Sequence, residues 1–249
     1  MIAIYDRCHR RYIADYPSLV ESLQLPLPSC RIPDGSAESA GNAILAAAKE
    51  NQGCTLVCLG PLTNVAAALQ LEPGALGSLV SRVVVMGGAV RVPGNMGQNN
   101  EAELNLYSDP NAAAHVLHSG MHIDLLDLDV TGRGVFGDDN NISVLQRLCA
   151  LEETSAAGGL TKALLAIDME RGLKGEDTLA SLYDPVAACF AVESGLFESE
   201  QVLLRVNSET GATTEVTDQA AESVAVTLPT RFAQPGDYEK ALADLITQS

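Results

Sequence analysis

The sequence predicts an α/β domain built on a mainly parallel sheet with helices on both faces. Three observations carry that expectation. Short runs such as Thr55–Gly60 and Arg82–Ala89 are apolar without polar alternation, the pattern of strands buried on both sides. Ala- and Leu-rich stretches of helical length separate them. Two of the helical stretches open on Asp-Pro, a capping residue followed by the residue best suited to the first helical position.

The elements follow in chain order. Residues 1–40 are atypical: DRCHRRY is a local basic cluster, and QLPLPSCRIPDG holds too many prolines for a central strand. A helix is expected from Ser36 to Lys49. TLVCLG (Thr55–Gly60) reads as a strand and PLTNVAAALQL (Pro61–Leu71) as a helix. RVVVMGGA (Arg82–Ala89) is a β-branched strand that ends in glycines. DPNAAAHVLHSG (Asp109–Gly120) is a helix with Asp109 as its cap and Gly120 at its exit. IDLLDLDVT (Ile123–Thr131) is expected to be a further strand. Ser143–Arg171 reads as helical with a break at Gly158–Gly159, and another helix starts at Asp184. QVLLRVN and ESVAVTLPT look like two strands joined by a polar, Thr-rich turn, which suits an antiparallel appendage. A terminal helix is apolar at Leu242, Leu245 and Ile246. With no internal repeat, low-complexity tract or linker in view, residues 1–249 are expected to form one domain.

The totals exclude some classes of function. A formal net charge of −17 opposes binding to phosphate backbones and to anionic membrane surfaces. No apolar run is long enough to span a bilayer, and the N-terminus carries charges where a signal peptide needs an apolar stretch, so a cytoplasmic protein is expected. The six cysteines form no metal-ligand spacing; Cys54 and Cys58 share a strand too far apart to be bridged, and reduced thiols are expected.

In open α/β sheets ligands gather at the carboxyl ends of the strands. Three loops qualify: Leu59–Asn64, Gly87–Asn105 and Leu128–Gly134. The second collects Asn95, Asn99, Asn100, Glu101, Glu103 and Asn105. Asn offers donors and an acceptor and Glu accepts twice, the mixture that a polyhydroxyl ligand needs. An ordinary solvated loop has the same composition. For Glu103 and Asn105, two-residue spacing in an extended segment would put both on one side. Asp184 before Pro185 is a helix cap or a metal carboxylate. Asp127 and Asp129 are an acid/base pair on one strand face or carboxylates bonded to backbone at a strand end.

The ordered set CLGPLTNVAAAL, VVVMGGAVRVPGN, EAELNLYSDPNAA, LDLDVT and LYDPVAACFAV resembles the inosine–uridine-preferring nucleoside hydrolases over roughly residues 53–246. That resemblance implies a Rossmann-like fold, hydrolysis of a ribonucleoside to base and ribose, and a Ca²⁺ that binds the ribose 2′- and 3′-hydroxyls. It implies a small-molecule nucleoside as partner, no nucleic acid and no membrane, a role in purine or pyrimidine salvage, and a homo-oligomer as one possible state. Carried over by position, Met86, Asn95, Glu103 and Asn105 match the ribose-binding residues. Asp184 matches the C-terminal calcium carboxylate, and Leu59 the position that gives calcium its main-chain carbonyl. Tyr183 stands where many members place a histidine that protonates the leaving base; an aromatic there suits stacking on the base.

The family opens with an aspartate cluster of the form DxDxxxDD, which supplies the general base and further calcium ligands. Asp6 and Asp15 do not match it, so no catalytic base is assigned. The N-terminal strand region is expected to be missing or replaced, and a start placed too late explains this economically. Two readings follow: a Ca²⁺-dependent nucleoside N-glycosidase, or a catalytically impaired or truncated relative that binds a nucleoside or ribose.

Overall fold

The computed structural model of the protein describes residues 37–132, 141–152, 154–155, 158–159, 161–162, 165–166, 183–217, 222–234 and 236–247. The atypical N-terminal segment, with Asp6 and Asp15, lies outside these residues apart from its last few positions, as does much of the expected helical stretch up to Arg171.

The apolar runs become strands and the Ala/Leu stretches helices, as the patterning requires. In chain order they are α1 (Ala37–Glu50), β1 (Cys54–Cys58), α2 (Thr63–Leu71), α3 (Ala75–Leu79), β2 (Val80–Met86), α4 (Leu104–Ser108) and α5 (Pro110–Leu117). There follow β3 (Ile123–Leu126), α6 (Leu128–Gly132), α7 (Asn141–Cys149), α8 (Tyr183–Val192), β4 (Phe197–Val206), β5 (Thr213–Val216), β6 (Ser223–Phe232) and α9 (Asp237–Thr247). Six strands form one sheet in the order β1-β2-β3-β6-β4-β5. β1, β2, β3 and β6 pair in parallel, and β4 runs antiparallel between β6 and β5. The two C-terminal strands foreseen as an appendage are therefore part of the main sheet. The polar turn between them holds a third short strand, β5, whose Thr-rich sequence gave no apolar signal.

Strand alternation builds the two halves of the core. Val83, Val85, Ile123 and Leu125 face one layer, where they join Leu45, Leu62, Val65, Ala113 and Val116 from α1, α2 and α5. Val84, Met86 and Leu126 face the other, with Val130, Leu145, Val186, Phe190, Leu242 and Ile246 from α6 to α9. Both faces are covered, which explains why β2 reads as an unbroken Val run. The four described cysteines, Cys54, Cys58, Cys149 and Cys189, are free thiols.

The α5 cap forms as the residues dictate. The Asp109 carboxylate accepts from the Ala112 N–H at 3.1 Å and from the Thr63 hydroxyl at 2.6 Å, with Pro110 at the first turn. Gly120 exits with φ +78°. One polar tie crosses the other layer. Arg82 of β2 donates to Asp124 of β3 at 3.3 Å and to the Ala191 carbonyl in the last turn of α8 at 2.8 Å, while its guanidinium lies over Phe190. A cation at that helix end is favourable to the α8 dipole, and α8 carries Tyr183 and Asp184 on its first turn.

The predicted strand Ile123–Thr131 is shorter than expected. It stops at Leu126, and Leu128–Gly132 turns into α6. Asp127 sits at the joint: its Oδ1 accepts from the Asp129 N–H at 3.1 Å, and its main-chain carbonyl accepts from the Thr131 N–H and hydroxyl. A short polar side chain that bonds the backbone two residues on starts a helix in preference to continuing a strand. Asp127 and Asp129 are therefore not a pair on one strand face; the backbone-bonded reading of Asp127 holds.

Candidate functional site

The site assembles on the peptide that follows β2. Gly87 continues the strand by donating to the Leu126 carbonyl at 3.0 Å, and Gly88 then turns at φ +89°. That left-handed geometry costs a side chain dearly and glycine little. Three successive N–H groups then meet three side-chain oxygens from distant parts of the chain. Gly88 donates to Glu103 Oε2 at 3.3 Å, Ala89 to Thr213 Oγ1 at 3.0 Å and Val90 to Asp127 Oδ2 at 2.9 Å.

Glu103 and Asn105 converge here, though not through an extended segment. Glu103 is the extended N-cap of the short helix α4, and its Oε2 also accepts from the Leu106 N–H at 3.2 Å. Asn105 lies in the first turn of α4 and donates from Nδ2 to the Met86 carbonyl at 3.1 Å, with the Met86 sulfur at 3.3 Å. The two-residue spacing works because the first residue caps the helix and the second begins it. Both side chains are buried, as is Met86. Asn95 stands at the same helix start, where its Oδ1 accepts from the Leu104 N–H at 2.9 Å.

The rest of the polar loop is a turn. Gly94, Asn95 and Met96 pair with the 100–102 segment, Asn100 adopts φ +52°, and Glu101 accepts from the Asn99 N–H at 2.8 Å. Asn99 and Asn100 are exposed. Only part of the Asn/Glu cluster therefore belongs to the buried site.

Three carboxyls are pushed upward: Glu103 and Asp127, which bond this peptide, and Asp184 at the start of α8. Burial raises Glu103 to about 7, against backbone N–H groups that pull the other way and with a smaller push from the Asp184 charge. Burial raises Asp127 to about 6, again opposed by backbone donors, with Val90 foremost. Asp184 rises to about 6 through desolvation by its neighbours, although the residue itself is exposed. Two carboxyls so shifted, Glu103 and Asp127, bonded to one peptide at the end of β2, mark a candidate active site on physical grounds.

Asp184 and Tyr183 occupy the first turn of α8, and the Tyr183 ring lies against Gly132 at the end of α6. Leu59, directly after β1, is half-buried beneath this layer. Sequence reasoning missed Thr213 as part of the site. It is a buried polar residue in a short strand 124 positions from its partner, and no local pattern announces such a contact.

The family model described as inosine-uridine preferring nucleoside hydrolase matches residues 17–236. A non-specific ribonucleoside hydrolase of Salmonella schwarzengrund is 33% identical over 193 residues, covering 76% of this chain and 55% of the relative. A pyrimidine-specific ribonucleoside hydrolase of Shewanella woodyi is 33% identical over 155 residues, covering 62% of this chain and 47% of the relative. The chain thus spans about half the length of these curated relatives. A solved plant nucleoside hydrolase superposes with a TM-score of 0.69 at 23% identity, over 92% of this chain and 73% of its own. A purine-preferring ribonucleoside hydrolase of Gardnerella vaginalis superposes with a TM-score of 0.66 at 22% identity, over 91% of this chain and 72% of its own.

Proposed function

This chain belongs to the inosine-uridine preferring nucleoside hydrolase family, and from that premise we propose that it recognises the ribose of a ribonucleoside and takes part in hydrolysis of the N-glycosidic bond. The observation that carries the proposal is the convergence of Glu103 and Asn105 on the Met86–Gly88 peptide at the carboxyl end of β2.

The chemistry follows from the positions. Asn105 is oriented by the Met86 carbonyl, which leaves its amide oxygen to accept from a sugar hydroxyl. Glu103 is locked by two backbone donors and sits near its point of half-protonation at neutral pH. Its ionised form favours positive charge developing on a ribosyl group, and a preorganised buried carboxylate does this without rearrangement. Met86 gives the sugar an apolar wall, Asn95 fixes the start of α4, and Tyr183 offers an aromatic face to a base.

In the wider family a calcium ion would hold the ribose diol and activate water. Here Asp184 and the Leu59 carbonyl are the donors on offer. Ca²⁺ takes about six to eight oxygens. Among the described residues no group of three or more His, Cys, Asp or Glu side chains is placed to hold a metal. These residues do not by themselves fit a calcium site, and the base that activates water has no assigned residue. A second reading is that this stretch of chain binds ribonucleosides without turning them over. Among the described residues no helix is long and apolar enough to cross a membrane. The proposal includes a cytoplasmic place in nucleoside salvage, on the family resemblance.

The test is ribose release from inosine and from uridine, with added Ca²⁺ and with a chelator. Calcium-dependent release is the result expected of the hydrolase. Binding without release, from a folded protein of the right mass, would leave the second reading standing.

A further inference from the structure

We propose that Thr213 is a positioning residue for the ribose-binding pair, acting through the Gly88–Val90 peptide from the opposite edge of the sheet. The inference rests on the reading of Glu103 and Asn105 as the ribose site. Thr213 opens β5, the strand at the far edge from β1, and is 4% exposed. A buried strand position favours an apolar β-branched residue, and a buried hydroxyl is costly unless bonded. Here the hydroxyl accepts from Ala89 at 3.0 Å, an N–H that no strand ladder serves.

The geometry makes this bond more than local. Gly88, Ala89 and Val90 each donate to a different buried side chain, so the peptide is pinned at three successive points. Gly88 is in the left-handed region and lies against the Thr213 hydroxyl. Releasing the Ala89 N–H frees the Gly88–Ala89 peptide plane and, through the Gly88 dihedrals, loosens the Gly87–Gly88 plane before it. That preceding plane carries the Gly88 N–H, which holds the Glu103 carboxylate.

The same hairpin touches the other half of the site. Gly211, with φ +75°, packs against the Leu106 carbonyl of α4, where any larger residue would strike the backbone. Arg91, just beyond the pinned peptide, pairs with Glu200 of β4 and Glu215 of β5, each at 2.9 Å. The β4–β5 hairpin thus braces both the peptide that orients Glu103 and the helix that carries Asn105.

The experiment compares the native protein with Thr213→Val, which keeps the shape and removes the acceptor, and Thr213→Ser, which restores it. Amide hydrogen exchange is followed at Gly88, Ala89 and Val83–Val85, and the Kd for uridine is measured. The expected result for T213V is exchange at least tenfold faster at both Gly88 and Ala89, unchanged protection in β2, and a Kd raised about tenfold. T213S should return all three near native values. A merely structural hydroxyl would expose Ala89 alone and leave Gly88 and the Kd unmoved, and that outcome overturns the proposal. Should the native protein bind no uridine, the ribose reading fails. Positioning of Glu103 is then decided by Gly88 exchange: faster in T213V and restored in T213S supports it, and no change overturns it. If T213V does not fold, T213A takes its place in the same comparison.

Discussion

Glu103→Gln is expected to stabilise the protein at pH 8 while weakening ribonucleoside binding about 10- to 100-fold, the effect of losing a hydrogen bond to a charged group. The sign follows from the raised carboxyl. Below its ordinary value of 4.5, Glu103 is protonated in both the folded and the unfolded chain, and its ionisation affects folding not at all. As pH rises from 4.5 to about 7, the unfolded chain gives up the proton and the folded chain keeps it. Stability falls across that window, by about 3 kcal/mol once pH exceeds the folded value. Gln keeps an oxygen for the Gly88 and Leu106 donors and removes the ionisation. The substituted protein should therefore match the native one in urea at pH 4 and exceed it at pH 8. Asp127, raised for the same reason, steepens the native decline over a similar range. A Glu103→Gln protein whose advantage does not grow with pH would contradict the burial argument. Undiminished affinity for uridine would contradict the ribose role.

Arg82→Met is expected to cost about 3–5 kcal/mol, the usual penalty for stranding a buried charge. Asp124 is 2% exposed and bonded to Arg82 at 3.3 Å, with the His122 imidazole 3.3 Å from its other oxygen. Removing the guanidinium also takes away the donor to the Ala191 carbonyl at the end of α8 and the cation over Phe190. The double substitution Arg82→Met/Asp124→Leu should recover most of the loss, because a buried pair replaced by apolar groups of similar volume is often neutral. Urea midpoints of the two single variants and the double variant measure the coupling directly. Additive losses would show that the pair is not the tie that the geometry describes.

The parallel part of the fold was legible because burial on both faces leaves a plain mark. The Val run of β2, the Asp109 cap and Pro110 each state their structure locally. The antiparallel part was legible only in outline. β5 consists of Thr213, Thr214, Glu215 and Val216, and nothing in those residues distinguishes a strand from a polar turn. The end of β3 was misplaced because Leu128 and Val130 continue the apolar run. Asp127 overrides them with a bond to the Asp129 N–H. For the candidate site, Glu103, Asn105 and Met86 were expected from a long motif, and the structure brings all three to one peptide. Their reason for converging was not legible, because a five-residue helix capped by Glu103 looks like loop in sequence. Thr213 left no trace, since its role depends on a contact across 124 positions.

The most direct test of the central claim is an NMR titration with uridine and with its 2′,3′-dideoxy counterpart. The account predicts that uridine shifts the Asn105 side-chain amide and the Gly88 N–H, and that the dideoxy compound leaves both in place. Equal shifts from the two compounds, or shifts confined to other parts of the sheet, would contradict it.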